Sequence, residues 1–181
     1  MKQVCVFLAD GFEEIEGLTV VDVLRRAGVK VTTVSIKKDR MITGRSDITV
    51  LADVWFGEVD FTEADMLVLP GGMPGTTNLR DYAPLTGLLK EFYEAKKLLA
   101  AICAAPMIFG ALGFLQGRSA AIYPGMEDEL KGAQALTEPV VVDEFITTSR
   151  GMGTAIPFAL SLVEQLLGAE KALEIKESIV Y

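Results

Sequence analysis

The chain contains no histidine, only two cysteines, and a deficit of basic residues: 17 Lys and Arg against 25 Asp and Glu in 181 residues. The missing histidine excludes a Ser-His-Asp or Cys-His triad within the chain, an imidazole metal ligand and an imidazole base near neutral pH. Chemistry must rest on carboxylates, thiols, hydroxyls, lysine, backbone dipoles or a partner chain. The net charge of −8 leaves no excess of Lys and Arg to displace counterions from a phosphate backbone, so nucleic acid is excluded as a primary ligand. Cys5 and Cys103, far apart and each in an apolar run, cannot assemble a zinc site and form no disulfide framework. No metal or cofactor is expected. Two thiols beside an ample core point to a reducing compartment, and the apolar start, broken by Asp10, is too brief for a signal peptide. A cytoplasmic protein is expected.

Long hydrophobic runs are scarce as well. Leu98–Leu115 is one uncharged stretch of 18 residues, enough by length for a membrane helix. Pro106 near its middle, its Ala and Gly content and the lack of flanking aromatic or basic belts argue instead for a buried strand running into a buried helix.

Half of the residues are hydrophobic, which with this length predicts one globular domain over residues 1–181. Val4–Ala9 is a continuous apolar run, as in a strand covered on both faces. Leu18, Val21, Val23, Leu24 and Ala27 recur at helical spacing, stopped by Gly28. Strands are predicted at Val29–Ile36, Ala64–Leu69, Leu98–Ile102 and Ser119–Tyr123. Hairpins are predicted within Ile42–Leu51 and around Asp143-Glu144, and helices at Pro84–Lys96, Thr154–Leu167 and Ala169–Ser178. Alternating strands and helices predict an α/β sandwich around a mostly parallel sheet, with ligands at the carboxyl ends of the strands.

Three segments carry candidate chemistry. In Leu98-Leu99-Ala100-Ala101-Ile102-Cys103-Ala104-Ala105-Pro106 an apolar strand ends in a cysteine and small residues open a helix. This is a cysteine counterpart of the nucleophile elbow, in which a helix N-terminus favours thiolate; the alternative is an inert buried thiol. In Asp10-Gly11-Phe12-Glu13-Glu14-Ile15-Glu16, Glu13 and Glu14 suit a first helical turn as caps or dipole partners. Glu16, followed by Gly17, is placed to face the sheet edge and, if partly desolvated, to hold a proton beside Cys103. Leu69-Pro70-Gly71-Gly72-Met73-Pro74-Gly75 offers bare N–H groups for an oxyanion, or is simply a tight turn. Gly151-Met152-Gly153-Thr154-Ala155-Ile156 is no dinucleotide fingerprint, because Ile156 stands at the third glycine position and no βαβ unit follows.

Together these segments, with Asp22–Gly28 and Thr148–Thr154, resemble the ThiJ/PfpI superfamily of class I glutamine amidotransferase-like proteins. Within it they resemble the Parkinson-associated deglycase branch. The resemblance runs almost end to end. It implies a flavodoxin-like three-layer α/β sandwich with a nucleophile elbow, a homodimer, and a reactive Cys103 hydrogen-bonded to a protonated Glu16. It further implies that the N–H groups of Gly72 and Ala104 form the oxyanion site. The protease-like branch has histidine directly after the cysteine, where this chain has Ala104, so proteolysis is not expected. Deglycase relatives carry a histidine where this chain has Tyr123, and Arg45 lies about one residue from the family's hairpin arginine. The implied function is glyoxalase or deglycase-like action on α-oxoaldehydes through Cys103 and Glu16. The alternative is a non-enzymatic redox sensor or stress protein in which an oxidant converts Cys103 to a sulfinate.

Overall fold

The computed structural model describes residues 1–181. Strand β1 (Gln3–Leu8) alternates its side chains across the sheet: Val4, Val6 and Leu8 pack into one core, Cys5 and Phe7 into the other. That double burial is why its sequence is apolar without interruption. Helix α1 (Glu14–Arg26) follows, and Gly28, with φ +86°, turns the chain into β2 (Lys30–Ser35), parallel to β1. The hairpin β3 (Met41–Thr43) and β4 (Thr49–Leu51) projects from the sheet, and β5 (Val54–Trp55) pairs with β2 at the edge. After β6 (Met66–Leu69) come α2 (Gly75–Asp81), α3 (Ala83–Glu94), β7 (Leu98–Ile102) and α4 (Pro106–Ala111). A small parallel pair, β8 (Ser119–Ala120) and β9 (Gln134–Ala135), precedes the hairpin β10 (Val140–Asp143) and β11 (Ile146–Ser149). Helices α5 (Ala155–Leu167) and α6 (Ala169–Ser178) end the chain.

The main sheet has seven strands in the order β10-β11-β7-β6-β1-β2-β5, and only β10 runs antiparallel. One layer packs α1 and α5 against Val6, Val68 and Ile102; the other packs α3 and α4 against Phe7, Leu67 and Ala101. This is the flavodoxin-like three-layer sandwich. The chain leaves β1 toward β2 and later returns to the other side of β1 as β6. The carboxyl ends of β1 and β6 therefore flank a switch point, where connections diverge and leave a crevice.

No helix is long and apolar enough to cross a membrane. The uncharged run divides into β7, the turn at Cys103 and the six-residue α4. Three elements, α2, β5 and the two-residue β9, lie outside the sequence expectations. Helix α2 is short and polar, with Leu79 its one large buried residue, and β5 spans two residues. The strand expected over Ser119–Tyr123 stops at Ala120. Beyond it, Ala121 N–H donates to the Thr148 hydroxyl (2.8 Å) and Tyr123 N–H to the Cys103 carbonyl (2.9 Å), so the backbone is satisfied without a ladder.

Leu67, fully buried on a central strand, should lose about 2–5 kcal/mol of stability on Leu67→Ala in denaturant unfolding. Val142→Ala, on the edge strand and 49% exposed, should stay within about 0.5 kcal/mol of wild type. Similar costs for the two would contradict the strand order.

Candidate active site at the end of strand β7

Three adjacent strands deliver the site. β1 leads through residues 9–13 into α1 and Glu16, β6 ends at Pro70-Gly71-Gly72, and β7 ends at Cys103. Cys103 has φ +64°, a left-handed conformation that a residue with a Cβ adopts only when its surroundings impose it, at about 1–3 kcal/mol. The surroundings are specific. Its N–H donates to the Ser149 carbonyl on β11 (3.0 Å), its carbonyl accepts from Tyr123 N–H, and Ala105 N–H closes the turn onto Ile102 (3.1 Å). Ala104 and Ala105 are buried and small, so the chain folds back without collision, and Pro106 opens α4 where no N–H is required. The elbow expected from the sequence is present.

Gly71 is required for space. A Cβ there would lie 2.6 Å from the Cys103 Cβ and 2.8 Å from Glu16 Oε2. Glu16, 1% exposed, is thus pressed against the same point as Cys103. Its Oε2 accepts from Gly71 N–H at 2.9 Å, and its Oε1 makes no hydrogen bond of regular geometry. Burial raises the Glu16 carboxyl to about 7, against the opposing pull of the Cys103 thiol, the Gly71 N–H and Arg45. Burial, then the charge and hydrogen bonding of Glu16, push the Cys103 thiol up to about 12, while the N–H groups of Gly72 and Ala104 pull the other way. These are the two amides expected to cradle an oxyanion, and both act on the sulfur.

The pair shares its protons, so its charge state belongs to both groups. While Glu16 is charged, Cys103 keeps its proton. Protonating Glu16 removes that charge from beside the sulfur and leaves the two amides facing burial alone. The thiolate expected from the helix N-terminus is thus not the form this site favours: burial and Glu16 keep the proton on Cys103.

Arg45 reaches the rim: its N–H donates to the Phe12 carbonyl (2.9 Å), and its guanidinium lies 3.6 Å from Glu13 Oε2. Glu13 and Glu14 are not the caps the sequence suggests. Glu13 occupies the N-cap position of α1 without a side-chain capping bond. Glu14 is buried beneath the β3–β4 hairpin, accepting from Ser46 N–H (2.8 Å), because Gly44 leaves room for it. Tyr123 is 51% exposed, its ring against Gly151 and its hydroxyl without a hydrogen bond inside the chain. Its backbone, more than its phenol, serves the elbow. Cys5 is a core residue, and burial raises its thiol to about 11. No group of three or more Cys, Asp or Glu is arranged to hold a metal ion. Sequence reasoning missed the spatial role of Gly71, for which the Gly-Gly doublet was the only signal, and the hydroxyls of Ser149 and Thr154 behind the elbow.

A family model described as DJ-1/PfpI family matches residues 2–165. The chain is 38% identical to Protein DJ-1 homolog B of Arabidopsis thaliana, over 99% of its own length and 41% of that protein's. It is 31% identical to the Glutathione-independent glyoxalase DJ-1 of Schizosaccharomyces pombe, over 99% of this chain and 98% of that one. The solved structure of oxidized Toxoplasma gondii DJ-1 superimposes with a TM-score of 0.96 at 37% identity, covering 100% of this chain and 99% of that one. With a fold, an elbow and a match that span nearly its whole length, the chain belongs to the DJ-1/PfpI family.

Proposed function

We propose that this protein is a cytoplasmic, cofactor-independent, cysteine-dependent enzyme that converts small α-oxoaldehydes in the manner of a glyoxalase or deglycase. The observation that carries the reading is the buried Glu16 carboxyl packed beside a cysteine held at φ +64°. The relative named a glutathione-independent glyoxalase supports it. Cys103 sulfur attacks the aldehyde carbon as its proton passes to the Glu16 carboxylate. The carbonyl oxygen gains electron density, meets the N–H groups of Gly72 and Ala104, and takes that proton back from Glu16 to complete a hemithioacetal, which leaves Glu16 a carboxylate. Glu16 then removes the proton from the former aldehyde carbon and returns it to the neighbouring carbon, while the hydroxyl proton passes to the neighbouring oxygen, so that the sulfur-bearing carbon becomes a thioester carbonyl. Water cleaves the resulting thioester to a 2-hydroxy acid and frees the thiol. A carboxyl near 7 suits both directions of that transfer.

A second reading is favoured by the likeness to a DJ-1 structure in the oxidized state. Two equivalents of peroxide would oxidise the Cys103 thiol to a sulfinic acid, releasing two of water, and the same donors would hold the sulfinate. In either case we propose a homodimer, since Ile15 on α1 and Ile48 and Leu51 on the hairpin expose apolar surface that a second copy would cover. Sedimentation at twice 19.5 kDa is the expected result, and a monomer at micromolar concentration would refute it.

Lactate release from methylglyoxal should be measured for wild type and Cys103→Ser. A loss of at least ~10³-fold is expected, and equal rates would sink the mechanism. In the redox case, intact mass after mild peroxide should show two oxygens on Cys103 and none on Cys5.

Glu16 also links the site to stability. Its carboxyl is raised on folding from 4.5 to about 7. Its stabilising contribution is therefore complete below pH 4.5 and is lost as pH climbs through 7, by up to ~3 kcal/mol. Glu16→Gln, uncharged throughout, should melt higher than wild type at pH 8 and level with it at pH 5, while abolishing turnover. A melting difference independent of pH would show that Glu16 is not the buried titrating group.

A further inference from the structure

Behind the elbow lies a hydroxyl relay with no place in the chemistry above. Ser149, fully buried at the end of β11, pairs with Ile102 on β7 and Val140 on β10, and its carbonyl accepts the Cys103 N–H. Its hydroxyl lies 2.7 Å from the Thr154 hydroxyl and 2.6 Å from the Pro139 carbonyl. Thr154 lies 2.9 Å from the Gly151 carbonyl through its hydroxyl, and its backbone N–H donates to that carbonyl at 2.8 Å. Gly151 N–H in turn donates to the Thr154 hydroxyl at 3.1 Å.

Two hydroxyl hydrogens serve these contacts, and one assignment uses both well. Thr154 donates to Ser149, Ser149 donates to Pro139, and the Gly151 carbonyl is served by the Thr154 N–H. The result is a one-directional chain from Gly151 N–H to the Pro139 carbonyl, in which each bond polarises the next. The Tyr123 ring lies beside Gly151, near enough that a Cβ there would touch it, and Tyr123 N–H donates to the Cys103 carbonyl. The peptide group before Cys103 is thus held by Ser149, and the one after it by Tyr123, whose ring borders the same turn.

We propose that Thr154 is a positioning residue for Cys103, its hydroxyl locking the turn after β11 so that the elbow keeps its left-handed backbone and the sulfur stays against the Gly72 and Ala104 amides. This inference rests on the reading of Cys103 as the reactive group. Valine at 154 matches threonine in shape but leaves Gly151 N–H unpaired and Ser149 without its donor. Strain at Cys103 then relaxes by moving the sulfur away from the amides.

The test is alkylation by iodoacetamide between pH 6 and 10, with Cys103 and Cys5 quantified separately by mass spectrometry. In Thr154→Val, alkylation of Cys103 should be about tenfold slower than in wild type across this range, while Cys5 is unchanged; Thr154→Ser should stay within about twofold of wild type. A general loosening of the fold would have the opposite sign, accelerating both cysteines, and would overturn the proposal. So would wild-type behaviour of Thr154→Val at Cys103, or a Thr154→Ser variant as slow as the valine. Ser149→Ala breaks the relay from its other end. A Ser149→Ala/Thr154→Val double variant no slower than either single variant supports one relay, and additive losses overturn it. If wild-type Cys103 alkylates no faster than Cys5, the reactive-cysteine reading itself fails, and the proposal with it.

Discussion

The hydrogen bond from Gly71 N–H to Glu16 is the constraint around which the site is arranged. A carboxyl group that is 1% exposed and has one regular donor is costly to charge, and burial raises it to about 7. Several nearby features follow from making room for it. Position 71 must be glycine, because a Cβ would strike both Glu16 and Cys103. Gly17, the residue after Glu16, lies against Phe12 and Leu8, so α1 can approach the sheet closely enough to carry the carboxyl inward. The energy stored in a half-ionised buried acid and a left-handed cysteine is supplied by the two apolar cores of the sandwich, a common division between scaffold and site.

Topology explains why the partners come from such distant parts of the chain. β6 lies between β1 and β7, so loops that leave the carboxyl ends of three neighbouring strands must meet. Each contributes something the others cannot. The β1 side supplies an acid on a helix, β6 supplies backbone amides freed by two glycines, and β7 supplies the sulfur. β11 completes the set through its carbonyl at Ser149. None of these groups moves independently, since each sits on a strand end whose register is set by buried apolar side chains.

Much of the frame was legible in the sequence because its signals are local. The apolar runs of β1, β6 and β7, Gly28 with its positive φ, and the hairpin turn at Glu144 report conformations set by the residues themselves. The site was legible to the extent that its members follow strands: Cys103, Glu16 and Gly72 each do. What escaped was polar and non-local. Glu14 looks like a helix-start acid, yet it binds the backbone of a hairpin more than thirty residues away, and no periodicity reports that. β8 looked longer than it is because Ala121 and Ile122 are apolar, although beyond Ala120 the N–H groups of Ala121 and Tyr123 donate to a side-chain hydroxyl and to the elbow instead of a neighbouring strand. Helix α2 has only Leu79 to mark its face.

The absent histidine can be given a physical meaning on this basis. An imidazole is useful because its pKa lies near neutrality, and burial gives the Glu16 carboxyl the same property, at about 7, by a different route. The two are not equivalent. In the proposed mechanism a carboxyl held at one point by Gly71 would carry protons along one path, between the sulfur and the carbon bound to it, whereas a second base would add another. Tyr123 leaves its hydroxyl free at the surface and commits its backbone to Cys103, so the position contributes geometry in place of proton transfer. A site with one proton carrier and rigid amide donors suits a reaction in which the proton that leaves one atom returns to its neighbour. The isomerisation of an α-oxoaldehyde adduct to a 2-hydroxy acid has that requirement.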